Sequence, residues 1–387
     1  ALGHGVRTNT DYRLTEAATT LAERLGALGY DTGAVVSSLV LARGFGLAQG
    51  FAFYEDRLES PYVVCDATRY PARTHWLPQR DRRADEALAR VLAWLEETAR
   101  EPFFLWLHLY DAHFPWDAPR PWGVRQPDPY LGEIEYVDAM LGRLRRWLDE
   151  TGRMQDTVLL VVADHGEGRE DHREAEHGLF VYDEAVRVPL LVVAPGEIPA
   201  GRVAGEQVRT VDVAPTLLEL AQGTRERVGL GGSLVPLLTG RGPAPDSLVY
   251  CESLLSRVAY GGTGLRAIRS RDRKYVHAPR PELYDLAADP GETRNLLAST
   301  RGDGREGAAG EAAALERRMA AILAGSPPAA ETGTLAEETR AARRRLGYVA
   351  GNGREPGERT LAAELRLDGF DPKDLVDVSL SGRDVEN

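Results

Sequence analysis

The chain is 387 residues long, 43% hydrophobic and 27% charged, with a net charge of −12 at pH 7. At about 150 residues per domain this length allows a large core split over two or three units. The acidic balance disfavours general binding to a nucleic-acid backbone, which needs a basic face, so no nucleic-acid partner is expected. No window approaches the roughly 18 apolar residues of a membrane span, and the N-terminus lacks a basic region followed by an apolar one. Cys65 and Cys251 are too few for a disulfide framework and are not spaced as a metal knuckle.

The opening ALGHGVRTNT lacks an initiator methionine and reads as the middle of a turn-rich connection, so the sequence is expected to start inside a domain. His4 lies there among turn-formers and reads equally as an exposed loop histidine. From Thr15 the pattern turns helical, with Leu21, Ala22, Leu25 and Leu28 spaced by three and four and Gly29 as a stop. Tyr30 to Ser37 reads as a short buried parallel strand. Helix followed by strand, repeated, predicts a crossover α/β sheet. A second amphipathic helix spans Asp81 to Ala99 and leads into a strand over Phe103 to Leu107, with His108, Asp111 and His113 at its C-terminal end.

After a proline-rich loop, Tyr130 to Glu150 forms the clearest helix, its stripe set by Leu131, Ile134, Val137, Leu141, Leu144 and Leu148. The strand Thr157 to Ala163 runs into Asp164-His165-Gly166 and a polar loop that also holds His172 and His177. Val186 to Gly196 reads as a further buried strand, and a helix lies around Val213 to Ala221. Beyond Gly240, Leu248 to Cys251, Gly264 to Arg269 and Lys274 to His277 are short strands separated by turns. Glu311 to Leu323 and Thr334 to Leu346 look helical within a polar stretch, and the last forty or so residues show no usable period.

A carboxylate beside an imidazole at a strand end suits Ca²⁺, Mg²⁺, Mn²⁺ or Zn²⁺, given further ligands from elsewhere. On composition alone Asp164 and His165 read equally as a surface turn with a capping Asp and an exposed His.

The combined pattern decides more. HGVRTN at His4, TLAERLGALGYDTGAVVSS at Thr20, PFFLWLHLYDAHFPW at Pro102, YLGEIEYVDAMLG at Tyr130, VLLVVADHGEG at Val158, the HG at His177 with VRVPLLVVAPG after it, VDVAPTLLEL at Val211 and ELYDLAADPGETRNL at Glu282 occur in one family's order. Over most of residues 1 to 300 the sequence resembles the sulfatase branch of the alkaline phosphatase superfamily, as an N-terminally truncated bacterial-type member. The resemblance implies an α/β fold, an alkaline phosphatase-like three-layer α/β/α sandwich with a small antiparallel C-terminal subdomain. The core is expected over 1–240, the subdomain over 241–300 and a helical or irregular tail or linker over 301–387.

It also implies that Asp164 and His165 are ligands of a divalent cation, Ca²⁺ foremost among the four. His113 and His177 would contact the anionic oxygens or the leaving group of the substrate, a small-molecule or glycan ester. His108 is placed in a supporting role behind the ligands, and His172 is read as solvated. Relatives carry a metal-binding acidic pair and a Cys, Ser or Thr nucleophile before the HGVR segment. Neither is found here, so this chain alone is expected to be inactive. The Lys and His that many arylsulfatases carry after the first strand correspond to Ser37 and Leu39, which opens a phosphodiesterase or phosphonate monoester hydrolase as an alternative. A non-catalytic scaffold that kept the fold is the alternative from another class. Relatives are often exported, which favours a periplasmic or extracellular location over the cytoplasm. Some continue past a segment like Leu346-Gly347-Tyr348 into helical repeats.

Overall fold

The computed structural model describes residues 13–58, 61–62, 79–114, 116–245, 248–298, 304–326 and 365–375. His4, Cys65 and the expected helix over Thr334 to Leu346 lie outside the described residues.

The first part of the chain gives α1 (Leu21–Ala27), β1 (Asp31–Val35), β2 (Phe53–Glu55), the short strands β3 (Pro61–Tyr62) and β4 (Gln79–Arg80), α2 (Ala84–Glu97) and β5 (Phe103–Leu107). α1 starts at a reciprocal cap, in which Glu23 N donates to Thr20 Oγ1 at 3.1 Å and Thr20 N donates to Glu23 Oε2 at 2.7 Å. β1 lies between β2 and β5 and is parallel to both.

Strand alternation explains the layers. Val35 packs toward α2, and a Cβ on Gly33 would stand 2.6 Å from the Trp94 ring, so this close approach of helix to sheet requires glycine. Ala34 and Val36 point the other way, into a cluster with Tyr54, Phe51 and Trp106. Thr32 shares that second face and lies against Gly26 of α1. Burying a side chain such as Val35, Leu88 or Val91 stabilises the fold by about 1.5–3 kcal/mol each.

The chain continues through α3 (Trp122–Arg125), α4 (Pro129–Glu150), β6 (Leu159–Val162), α5 (Asp183–Val186), β7 (Leu190–Val193), α6 (Val213–Gln222) and α7 (Val235–Leu238). α4 packs on α2, and α6 packs on α1 across the sheet. The buried stripe of α4 is Glu133, Tyr136, Met140, Leu144 and Leu148, whereas Leu131 and Ile134, expected inside, are exposed. The helix is turned from its expected setting because the Tyr136 hydroxyl accepts from Asp85 N at 3.0 Å and Glu133 Oε1 accepts from Asp117 N at 2.7 Å.

β7 also departs from expectation. It pairs with β6 antiparallel, and Leu191 is 57% exposed. The segment between the two strands holds only a 3-10 turn at Asp171–Arg173 and the four-residue α5 and folds back over the end of β6, so β7 returns in the opposite sense.

The C-terminal sheet runs β11 (Glu282–Asp285), β10 (Arg273–His277), β9 (Leu265–Arg269) and β8 (Val249–Ser253), all antiparallel, with α8 (Leu255–Tyr260) between β8 and β9. α9 (Gly304–Ala324) begins earlier than expected and packs Ala312, Leu315 and Met319 against Ile268, Tyr275 and Leu283. Part of the aperiodic C-terminal stretch docks on the same sheet. Thr263 N donates to Phe370 O at 3.0 Å, and Lys373 Nζ reaches Glu282 at 2.6 Å. The architecture is a three-layer α/β/α sandwich with a small antiparallel C-terminal sheet. No helix among the described residues is long and apolar enough to cross a membrane.

Candidate metal and anion site

β5 and β6 deliver their polar residues to one place. At the end of β5, His108 is locked by backbone contacts: its N–H donates to Val35 O at 3.0 Å and its carbonyl accepts Ser37 Oγ at 2.7 Å. Ser37 N donates to His108 Nδ1 at 3.3 Å, and burial pushes the imidazole pKa down to about 4, so the ring is neutral at pH 7. His113 follows one turn later, stacked on Tyr110 at 4.4 Å between centroids. Its Nδ1–H donates to Phe114 O at 2.5 Å and leaves Nε2 as a lone pair. Burial, then the neighbouring His177, hold its pKa at about 4.

At the end of β6, Asp164 Oδ1 accepts from His165 N at 3.0 Å and Oδ2 stands 3.7 Å from His165 Nε2, with the Asp164 side chain 80% exposed. His165 Nδ1 donates to Gly166 O at 2.9 Å, which again leaves Nε2 free. Gly166 is needed here, because a Cβ would meet Glu184 O at 2.1 Å. The loop then closes on itself, with Gly168 N donating to Glu176 O at 2.6 Å. Arg169, Glu170, His172 and Arg173 all take left-handed φ between 48° and 72° to do this, a conformation that side chains adopt only when the surroundings fix it. Glu174 inside the loop accepts from Leu179 N at 2.6 Å, and burial pushes its carboxyl pKa up to about 7.

The closure brings His177 back over His165, stacked at 4.0 Å between centroids, with His113 edge-on at 4.9 Å from His177 and 6.4 Å from His165. His177 Nδ1 donates to Glu167 Oε1 at 3.1 Å. Ligand atoms of His165, Glu167 and His177 lie within 4.8 Å of one another, close enough to hold one metal ion. Three expected residues, His113, His165 and His177, thus converge, with Asp164 at the rim and His108 behind.

His172, expected in solvent, is instead pinned: Nδ1 meets Glu184 Oε1 at 2.6 Å, Nε2 meets Glu292 O at 3.2 Å, and the ring stacks on Tyr182 at 3.8 Å. Burial opposes its charge, but Glu184 and Glu292 outweigh it and raise its pKa.

Two groups were not foreseen. Glu167, flanked by glycines in Gly166-Glu167-Gly168, is 7% exposed and supports His177. Its position two residues after His165 is the signal that the sequence offered. Behind His113 a small cavity is lined by Asp81, Asp111 and Glu133, whose pKa values are raised by burial, then by neighbouring carboxylates for Asp81 and Glu133, to about 7, 6 and 8. Asp111 Oδ1 caps α2 by accepting from Ala84 N at 3.2 Å. Glu133 gave no signal, sitting inside an apparently solvent-facing part of the α4 pattern.

The model of the Sulfatase family matches residues 4–224. The chain belongs to the sulfatase family. The C-terminal model of N-sulphoglucosamine sulphohydrolase matches residues 175–303, which include the antiparallel sheet. The multifunctional alkaline phosphatase superfamily protein PehA of Trinickia caryophylli is 33% identical over 43% of this chain and 35% of its own length. An N-acetylglucosamine-6-O-sulfatase of Bacteroides thetaiotaomicron is 30% identical over 43% of this chain and 31% of its own length. The chain therefore spans about a third of the length of these curated relatives. The phosphonate monoester hydrolase of Agrobacterium radiobacter shares the fold, with a TM-score of 0.63 at 21% identity over 82% of this chain and 83% of that one. The fold is that of the alkaline phosphatase superfamily.

Proposed function

We propose that this chain supplies the cation-binding and leaving-group side of a site that hydrolyses sulfate esters of small molecules or sugars. The convergence of three imidazoles, each with its Nδ1 engaged, at the ends of two strands carries the reading. Asp164 and His165 are the assigned cation ligands. Their 3.7 Å separation suits two donors on one ion at about 2.0–2.5 Å each. The carboxylate oxygen favours Ca²⁺ over softer ions. When bound, such a cation offsets the charge on the sulfuryl oxygens.

His113 and His177 then address the ester through Nε2. Burial keeps His113 neutral, and an anion placed against it favours the imidazolium, so its proton is held where the leaving oxygen needs it. His108 stays neutral and fixes the end of β5. The nucleophile is not assigned to any residue of this chain.

Calorimetric titration with inorganic sulfate tests the reading. Sulfate should bind only with Ca²⁺ present, and His113→Ala and His177→Ala should each weaken it at least about tenfold, the loss of a charge-assisted hydrogen bond. Binding that ignores both chelator and substitutions would overturn it. Tighter binding of methylphosphonate than of sulfate would favour a phosphonate ester instead, in keeping with the multifunctional relative.

A further inference from the structure

We propose that Glu167 also joins the cation's shell, through Oε2, while Oε1 holds His177, so that one buried carboxylate ties cation occupancy to the orientation of the anion-facing imidazole. The role given to His177 rests on the sulfate-ester reading above. The cation half stands on geometry alone.

Glu167 Oε1 accepts the Nδ1–H of His177 at 3.1 Å, whereas Oε2 is buried and has no hydrogen-bond partner. A carboxylate oxygen left buried and unpaired is costly, so such an atom needs a donor or a cation. The imidazoles beside it are those of His165 and His177, whose ligand atoms lie with that of Glu167 inside one 4.8 Å group. The Nδ1 atoms are already used: that of His165 on Gly166 O at 2.9 Å and that of His177 on Glu167 Oε1 at 3.1 Å. What remains is one buried, unpartnered carboxylate oxygen on a residue grouped with two imidazoles, a donor set that a cation completes.

The backbone holds the carboxylate in this place. A Cβ on Gly166 would meet Glu184 O at 2.1 Å and one on Gly168 would meet Glu174 O at 2.4 Å, so the chain on both sides of Glu167 is packed against other backbone. With Asp164 and His165, Glu167 makes the shell oxygen-rich, which keeps Ca²⁺ and Mn²⁺ as its natural occupants.

The test is calorimetric titration of Ca²⁺ and Mn²⁺ into the 387-residue chain and its Glu167→Gln variant, with ¹⁵N NMR of the imidazoles. Glu167→Gln keeps an acceptor for His177 and removes the charge. It should weaken both cations about 10–100-fold, the usual cost of removing a ligand's or supporting carboxylate's contribution. Wild-type affinity in Glu167→Gln overturns the proposal, as does an imidazolium Nε2–H on His165 at pH 7 that persists when Mn²⁺ is added, since a proton then fills the gap. If Glu167→Gln fails to fold, Mn²⁺ broadening of the His165 and His177 ring signals in the unsubstituted chain, with His172 spared, supports the assignment, and equal broadening or none overturns it. If sulfate fails to bind while Glu167→Gln still weakens Mn²⁺, the sulfate-ester reading falls and this assignment stands. Cation-dependent sulfate binding with a silent Glu167→Gln gives the reverse.

Discussion

Two polar clusters share the segment from Asp164 to Val186 and are built in opposite ways. In the first, His113, His165 and His177 face one another with their Nδ1 atoms engaged, and a carboxylate oxygen of Glu167 has no partner. In the second, the fully buried Lys274 stands 3.1 Å from Asp183 Oδ1 and 2.9 Å from Glu292 Oε1, Arg269 pairs with Asp183 at 2.7 Å, and His172 bridges Glu184 and the Glu292 carbonyl. The second cluster is compensated charge for charge and fastens the loop to the C-terminal sheet. The first keeps a buried carboxylate oxygen, Glu167 Oε2, without a hydrogen-bond partner. Polar burial therefore separates into a clamp, which sets the geometry, and the cluster proposed as the receptor.

The clamp should break hardest. Lys274→Met leaves two carboxylates facing each other with only Arg269 between charges, and is expected to cost about 3–5 kcal/mol in urea unfolding. A loss below 1 kcal/mol would mean that the cluster holds nothing together. His172→Gln comes next, at about 1.5 kcal/mol for a hydrogen bond to a charged group. Its sign with pH is fixed by the raised pKa of His172. The contribution is complete below the ordinary value of 6.5 and is lost as pH rises through the higher folded value, so wild type and variant should converge in thermal midpoint on the alkaline side.

A third effect, behind the receptor, is read against pH. Burial, then Asp111, raise the Glu133 carboxyl to about 8, so its protonated form is the one the fold prefers. Stability from this group is present below the ordinary 4.5 and lost as pH rises through about 8. Glu133→Gln should therefore match wild type in acid and gain on it above neutrality, read as thermal midpoint against pH. A gap that does not change with pH would refute the assignment.

Much of the architecture was legible because it depends on local pattern. The strands over Phe103 to Leu107 and Leu159 to Val162, and the histidines at their ends, follow from apolar runs broken by polar turns. The orientation of β7 was not, since a run such as Leu190 to Val193 carries no mark of the direction in which it pairs. The helical period of α4 was clear but its phase was not: Glu133 is buried by a backbone N–H from Asp117 and Leu131 is left outside. His172 and His177 sit in the same charged loop, and only left-handed backbone at four nearby residues decides that one is pinned by Glu184 and the other stacks on His165. Glu167 was passed over for the same reason, because a carboxylate between two glycines reads as solvated until the loop folds over it.

The most direct measurement is an ¹⁵N NMR titration of the imidazoles of His113, His165, His172 and His177 with sulfate at saturating Ca²⁺. The account predicts that sulfate raises the pKa of His113 from about 4 and shifts His177 with it, while His172 keeps its value. A response confined to His172, or none at His113 and His177, would contradict the assignment of the two imidazoles to the anion.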